Sequence, residues 1–385
     1  MQASSLKALA VVTSIFFFTS SLSGSFLTIY FKESGLTVPE IATLLLFTFV
    51  VIGFIPAILL RSVRDFERIM IVGIFTTMLF YIIAIFTKDP VVLGLSYGLS
   101  IATFWPSFNL LQFRLSEVKI RARTVSLFSA IIPSVASIVG PMTASLIIES
   151  FDFAALFMTA VGLYLVAFVL CIRMRFQPES QRLSLPKTPT FAIFFLTFIV
   201  LGFSETYWVA NPFLFFAISE TILNMGFVMT SSAILVTAIY LLVNWLSDIA
   251  GNRVIFTIIG TALNFIWYLA IPFSSTTYHI VALSLLSGFA GAFTLSWFAH
   301  YADCFGKEQH ASILVLMEIG LMIGRILNLV PTVLFIPNGE YVSYYWLSGI
   351  VLLLLIPSCI ASTRGRNTSQ LQALSPSTQQ LRSQS

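Results

Sequence analysis

The chain has 385 residues, 58% of them hydrophobic and only 9% charged, with a formal net charge of +4 and a mean hydropathy of +0.95. A water-soluble domain of this length needs far more charge to cover its surface, so the bilayer must be its solvent. The small positive excess follows membrane topology rather than one basic face, which excludes a nucleic-acid partner.

Long apolar runs predict twelve spans, in order 8–31, 38–60, 68–87, 91–113, 124–148, 154–174, 190–217, 223–246, 254–273, 279–302, 311–336 and 342–362. Loop signals separate them, among them Lys32-Glu33-Ser34-Gly35, Lys88-Asp89-Pro90 and Pro337-Asn338-Gly339. Pro106, Pro133, Gly140-Pro141, Pro212 and Pro331 fall inside spans, where neighbouring helices can satisfy the freed backbone groups. Lys7 and the run Ala8–Phe18 resemble a signal peptide. The run continues to Ile29 and eleven spans follow, so it reads as an uncleaved first helix.

With the N-terminus placed in the cytoplasm, all of the 20 basic residues except Lys32, Lys88 and Arg325 fall on the cytoplasmic side. Both termini are therefore expected in the cytoplasm, with the chain in the plasma membrane. Cys171, Cys304 and Cys359 lie near cytoplasmic helix ends and offer no extracellular disulfide. The tail from Arg364 onward is Ser/Gln-rich and reads as disordered, which makes Asn367-Thr368-Ser369 a chance glycosylation match.

An internal repeat organises the spans. Shifting the chain by about 187 residues lays the first six spans on the second six, with Phe26-Leu27 on Phe213-Leu214, Glu33 on Glu220 and Gly73 on Gly260. Six is even, so the halves enter from the same side and are related by an axis along the membrane normal. The expected domains are a six-helix half at 1–174, a linker at 175–189, a second half at 190–363 and a tail at 364–385.

The loop after span eight, Asn244-Trp245-Leu246-Ser247-Asp248-Ile249-Ala250-Gly251-Asn252-Arg253, resembles the loop signature of the major facilitator superfamily. Asp248, Gly251 and Arg253 match, while Asn244 and Asn252 replace a glycine and a basic residue. The first-half copy has Val63 and Phe66 at the acid and second-glycine positions. Ala136–Ala144 in span five, with Gly140-Pro141, is similar to a family motif associated with export. The resemblance covers about residues 5–362 and implies an all-α membrane protein of 12 transmembrane helices in two halves related by pseudo-two-fold symmetry. It also implies a gating role for Asp248, Gly251 and Arg253; the plain alternative is a solvated loop.

In such a fold spans one, four, seven and ten line a central cavity. Here those spans carry Ser21; Trp105, Asn109 and Gln112; Tyr207, Trp208 and Asn211; and Trp297. Such a wall suits an amphipathic organic solute or a cation through stacking and cation–π contact. The plain alternative is aromatics that only pack helices.

Glu205, Glu318 and Arg325 are ionisable residues inside apolar segments, where a charge costs about 2.5–3.5 kcal/mol on insertion scales. Glu205 lies about 15 residues into span seven, ~22 Å along a continuous helix and near the midplane. Glu318 and Arg325, seven apart, share one face of span eleven, where Gly320 and Gly324 let another helix come close. Arg325 keeps its charge, so one acid stays ionised beside it and the other is a candidate proton carrier, Glu205 first and Glu318 next. The alternative is an ion pair that locks spans seven and eleven together.

No HExxH, carboxylate cluster or phosphate-binding glycine loop is present, so neither an enzyme, a resident metal nor a cofactor is expected. The expected function is secondary transport by alternating access, with protons and a small molecule as partners of a monomer. Proton-coupled export (antiport) of a small amphipathic compound leads. Uptake of an organic anion or sugar-like solute, with Arg325 as counter-charge for an anion, is second. A non-transporting sensor or assembly factor is the reading from another class.

Overall fold

The computed structural model describes residues 2–62, 66–115, 127–174, 188–250, 253–305 and 309–361. Residues 175–187 of the expected linker, the tail and Gly251 lie outside the described residues, as do the side chains of Gln112, Asp248 and Arg253.

The described chain is helical and forms twelve spans. Span one is Gln2–Gly24 continued by Leu27–Glu33, and spans two to four are Val38–Ser62, Phe66–Phe86 and Pro90–Leu115. A π-helical turn, Leu127–Ile131, leads into span five at Ile132–Ser150, and span six is Phe153–Ile172. Span seven comprises Pro189–Phe203 and Ala210–Ser219, and span eight is Ile222–Ala250. Spans nine to twelve are Arg253–Ala270, Thr277–Asp303, His310–Phe335 and Tyr341–Leu352, the last running on to Ala361. Eleven of these are long and apolar enough by themselves to cross a bilayer; the other is the 27-residue Thr277–Asp303.

Local chemistry starts the helices where the loop signals lie. Thr37 and Glu40 form a capping box at span two, the Thr37 N–H donating to Glu40 at 2.8 Å and the Glu40 N–H to Thr37 at 3.4 Å. Asp89, just before Pro90, accepts from the Val91 and Val92 N–H groups. Asp152 and Thr188 cap spans six and seven in the same way.

Packing follows the repeat. In the first half span one lies on spans five and six, span four on two and three, and span three on six. In the second half span seven lies on eleven and twelve, span ten on eight and nine, and span nine on twelve. The halves meet through the pairs five–eight and eleven–two, which the same pseudo-two-fold exchanges.

Candidate functional site

Span seven departs from the continuous helix expected for 190–217. It ends at Phe203, passes through a non-helical Glu205 into a 3₁₀ turn at Thr206–Trp208, and restarts at Ala210. Pro212 explains part of this, because its ring would meet the Trp208 carbonyl in a continuous helix, whereas the first turn of a new helix tolerates it. Freed carbonyls find partners on other spans. The Asn328 amide donates to Phe203 O, the Tyr268 hydroxyl to Ser204 O, and the Thr28 hydroxyl to Trp208 O at 2.8 Å. An interrupted helix at membrane depth is stable only when buried groups complete its backbone in this way.

The break puts Glu205 within reach of span eleven. Arg325 Nε donates to Glu205 Oε2 at 2.6 Å and Nη2 to Oε1 at 2.9 Å. Trp208 Nε1 adds a third N–H to Oε2 at 2.7 Å. Glu318 stands on the other side of the guanidinium, 3.6 Å from Nη1. Phe49 and Trp208 present their rings to Arg325, each 5.8 Å away. All three charged side chains are largely buried, with 10–16% of their surface exposed. One cation thus stands between two carboxylates in a medium where each unpaired charge is costly.

Glycine brings the two spans together. A methyl group on Gly202 would fall 2.2 Å from Leu321 O, and one on Gly324 2.0 Å from Ile199 O. Spans seven and eleven therefore touch backbone to backbone beneath the ion cluster.

A two-lobed cavity lies between the halves. One lobe, of about 710 Å³, is walled by Phe17, Trp105, Tyr97 and Trp208 and reaches Glu318 and Arg325. The other, of about 880 Å³, extends into the second half past Glu205, Tyr240 and Trp297. Ser21, Asn109, Tyr207 and Asn211 line both, so the lobes are continuous. Either lobe has the size of a small-molecule site.

The structure sorts the expected wall residues by what they touch. Tyr207 is 53% exposed although it lies at mid-depth, because it projects into the cavity. Trp105 packs on Phe17 (5.3 Å between centroids) and faces the first lobe. Asn211 Oδ1 accepts from the Tyr345 hydroxyl at 2.7 Å. Trp208 lines the cavity with its N–H already given to Glu205. Trp297 is 1% exposed and packs on Phe194, so it reaches the cavity only from behind the wall. In span one, Ser20, Ser21 and Ser25 line the cavity, whereas Thr13, Thr19 and Ser23 are fully buried and bond carbonyls of their own helix.

Sequence reasoning missed Asn264, Trp267 and Tyr268 of span nine, which line the second lobe. The signal was present in Thr257, Thr261, Asn264 and Tyr268, whose spacing puts four polar groups on one helix face.

Twelve apolar helices in two pseudo-symmetric halves, closed around a central cavity that holds buried charges, define a polytopic membrane transporter. The chain belongs to the Major Facilitator Superfamily, whose sequence profile matches residues 9–191 and 193–383. Among solved structures it is similar to a mutant of the nucleoside transporter NupG, at 15% identity and a TM-score of 0.69, over 92% of this chain and 99% of that one. The unmutated nucleoside transporter NupG is similar at 16% identity and a TM-score of 0.65, over 93% and 99%. These likenesses show the fold. No curated protein matches the chain in sequence.

Proposed function

We propose that the protein is a proton-coupled secondary transporter of a small, uncharged or cationic amphipathic solute, working by alternating access as the two halves rock. The observation that carries this reading is the Glu205–Arg325–Glu318 cluster beside the central cavity. With both acids ionised the cluster carries one net negative charge, and a single proton neutralises it. A neutral cluster passes through an occluded state at far lower cost than a charged one, so proton uptake and conformation become linked.

Glu318 takes the role of proton carrier in this proposal, with Glu205 as the standing partner of Arg325. Both acids line the cavity, but three N–H groups hold Glu205, whereas Glu318 has one contact to Arg325, at 3.6 Å. Uptake of an organic anion would need a guanidinium with room for another carboxylate, and Arg325 is already shared between two.

Export is the proposed direction, supported by the span-five motif. Gly140 lies against Ser21 of span one, and the Pro141 carbonyl against Gly226 of span eight, so the motif sits where the halves meet. The plasma membrane and a monomer complete the proposal, with both termini in the cytoplasm on the strength of the basic-residue bias.

The test begins with a thermal-shift screen of neutral and cationic amphipathic compounds, nucleosides included, on the purified chain. Each hit is then assayed in liposomes with and without an imposed pH gradient. Accumulation driven by the gradient supports the proposal. Binding without movement favours a sensor, and movement indifferent to the gradient removes the proton.

A further inference from the structure

Span nine is built with two unlike faces. Ile255, Ile259 and Ile266 are about half exposed on its outer side, while Thr257, Thr261, Asn264 and Tyr268 are buried on the inner side. Polar groups on such a face serve either neighbouring helices, as Tyr268 does through Ser204 O, or a cavity. That face ends in the second lobe of the cavity, whose wall Asn264 and Tyr268 share with Ser232 of span eight and Ser284 and Ser287 of span ten.

Some of these groups are already satisfied by protein. The Ser284 hydroxyl donates to Ile280 O at 2.9 Å and that of Ser287 to Ser284 O at 3.0 Å, while Tyr268 donates to Ser204 O. Two are not. Among the described residues, the hydroxyl of Ser232, in a residue 9% exposed, is buried without a protein hydrogen-bond partner, and Asn264, also 9% exposed, lines this lobe with no hydrogen bond from its side-chain amide. Buried polar groups are paired as a rule, so in the open lobe these two are left to water, which a polar group of an entering solute can replace. Among the described residues Glu205 is the one charged residue lining this lobe, and Arg325 and Trp208 take its carboxylate. The vacant groups therefore suit an uncharged partner that both donates and accepts.

We propose that this recess is a recognition subsite for an uncharged hydrogen-bonding group of the transported solute, a primary amide or a hydroxyl-bearing appendage. Asn264 and Ser232 hold that group, and the solute's ring lies toward Phe17, Trp105 and Tyr207 in the other lobe. The proposal rests on the central cavity being the solute's path. It adds span nine to the four spans expected to read the solute.

Matched ligand pairs test it on the full-length purified protein. Indole against indole-3-acetamide, phenol against phenyl β-glucoside, and adenine against adenosine each compare a ring with the same ring bearing a neutral polar appendage. Calorimetry gives the two dissociation constants of each pair. In at least one pair the appended compound should bind about tenfold more tightly than the bare ring, the value of a hydrogen bond or two. Asn264→Leu should bring that preference close to unity while leaving the affinity for the bare ring unchanged. Ser232→Ala, a smaller change that guards against misfolding, should reduce the preference in the same direction at an unaltered melting temperature. No preference in any pair, or a preference that survives both substitutions, overturns the subsite. A preference that Asn264→Leu abolishes in a protein unresponsive to a pH gradient upholds the subsite and overturns the coupling.

Discussion

Arg325 of span eleven grips Glu205 of span seven through two N–H···O bonds, at 2.6 and 2.9 Å, on two different carboxylate oxygens. Only a guanidinium supplies that fork, since a lysine is a point charge. The contact crosses the break in span seven and ties the unwound stretch to a continuous helix.

Removing Arg325 would strand two buried acids. Arg325→Ala is expected to cost about 3–5 kcal/mol of stability, read as a fall in melting temperature of the purified protein. Arg325→Lys should recover part of the stability but not transport. An Arg325→Ala protein as stable as the wild type would show that the cluster is not a structural tie.

The two acids should separate by assay. Glu318→Gln is expected to abolish accumulation driven by a pH gradient while sparing solute exchange at equal pH. Glu205→Gln should impair both, because it loosens Arg325 and releases the Trp208 N–H. Gradient-driven accumulation by the Glu318→Gln protein would return the carrier role to Glu205.

Three tryptophans expected to share one role should give three phenotypes. Trp105→Ala is expected to weaken solute binding by about 1 kcal/mol through lost ring contact. Trp297→Ala should instead cost about 3–5 kcal/mol of stability, as for a buried large aromatic. Trp208→Phe should leave affinity near normal and slow gradient-driven transport, since its N–H serves Glu205. Equal loss of affinity in all three variants would restore a common place in the wall.

Glycine spacing in span eleven predicts unequal costs. At Gly324 an added methyl meets the Ile199 carbonyl at 2.0 Å, whereas at Gly320 it meets the Phe198 side chain at 3.0 Å. Gly324→Ala should therefore destabilise the protein strongly and separate Arg325 from Glu205, while Gly320→Ala, whose methyl also meets Phe195 O at 3.2 Å, should cost less. Thermal unfolding of the two variants side by side decides it, and equal melting temperatures would contradict the close approach.

Thr28 offers a finer probe of the break. Its hydroxyl serves the Trp208 carbonyl, so Thr28→Val leaves a buried acceptor unmet at a cost of about 1–3 kcal/mol, whereas Thr28→Ser keeps the donor. If the Val and Ser variants melt together, the carbonyl has another partner.

Much of the architecture was legible before any coordinates. Each span announces itself as an apolar run of membrane length, and Phe66–Phe86 maps onto the bounds of span nine with its terminal 3₁₀ turn at the repeat offset. Glu205, Glu318 and Arg325 stood out because charge inside an apolar run has few innocent explanations. The break in span seven did not, because Pro212 lies several residues past the point where the helix stops. The carbonyls freed along the break are met by Asn328, Tyr268 and Thr28, which are remote in sequence and invisible to any local pattern. The polar face of span nine was readable in its spacing, but the repeat directs attention to other spans. Trp208 reads as a wall residue and does line the cavity, but nothing in sequence shows that its indole N–H points to Glu205.

The interruption of span seven divides its mechanical loyalties. Its first segment is pressed against span eleven at Gly202 and Gly324, inside its own half. Beyond the break, Lys32 of span one stands over Phe213 and Phe216 at 4.9 and 5.6 Å, and Thr28 holds the Trp208 carbonyl, so the later segment is also tethered to the opposite half. Any relative rotation of the halves must then either release the Thr28 and Lys32 tethers or flex the stretch from Ser204 to Val209. The residue at that flexing point is Glu205, so the joint that bends and the acid that faces Arg325 belong to the same few residues of chain.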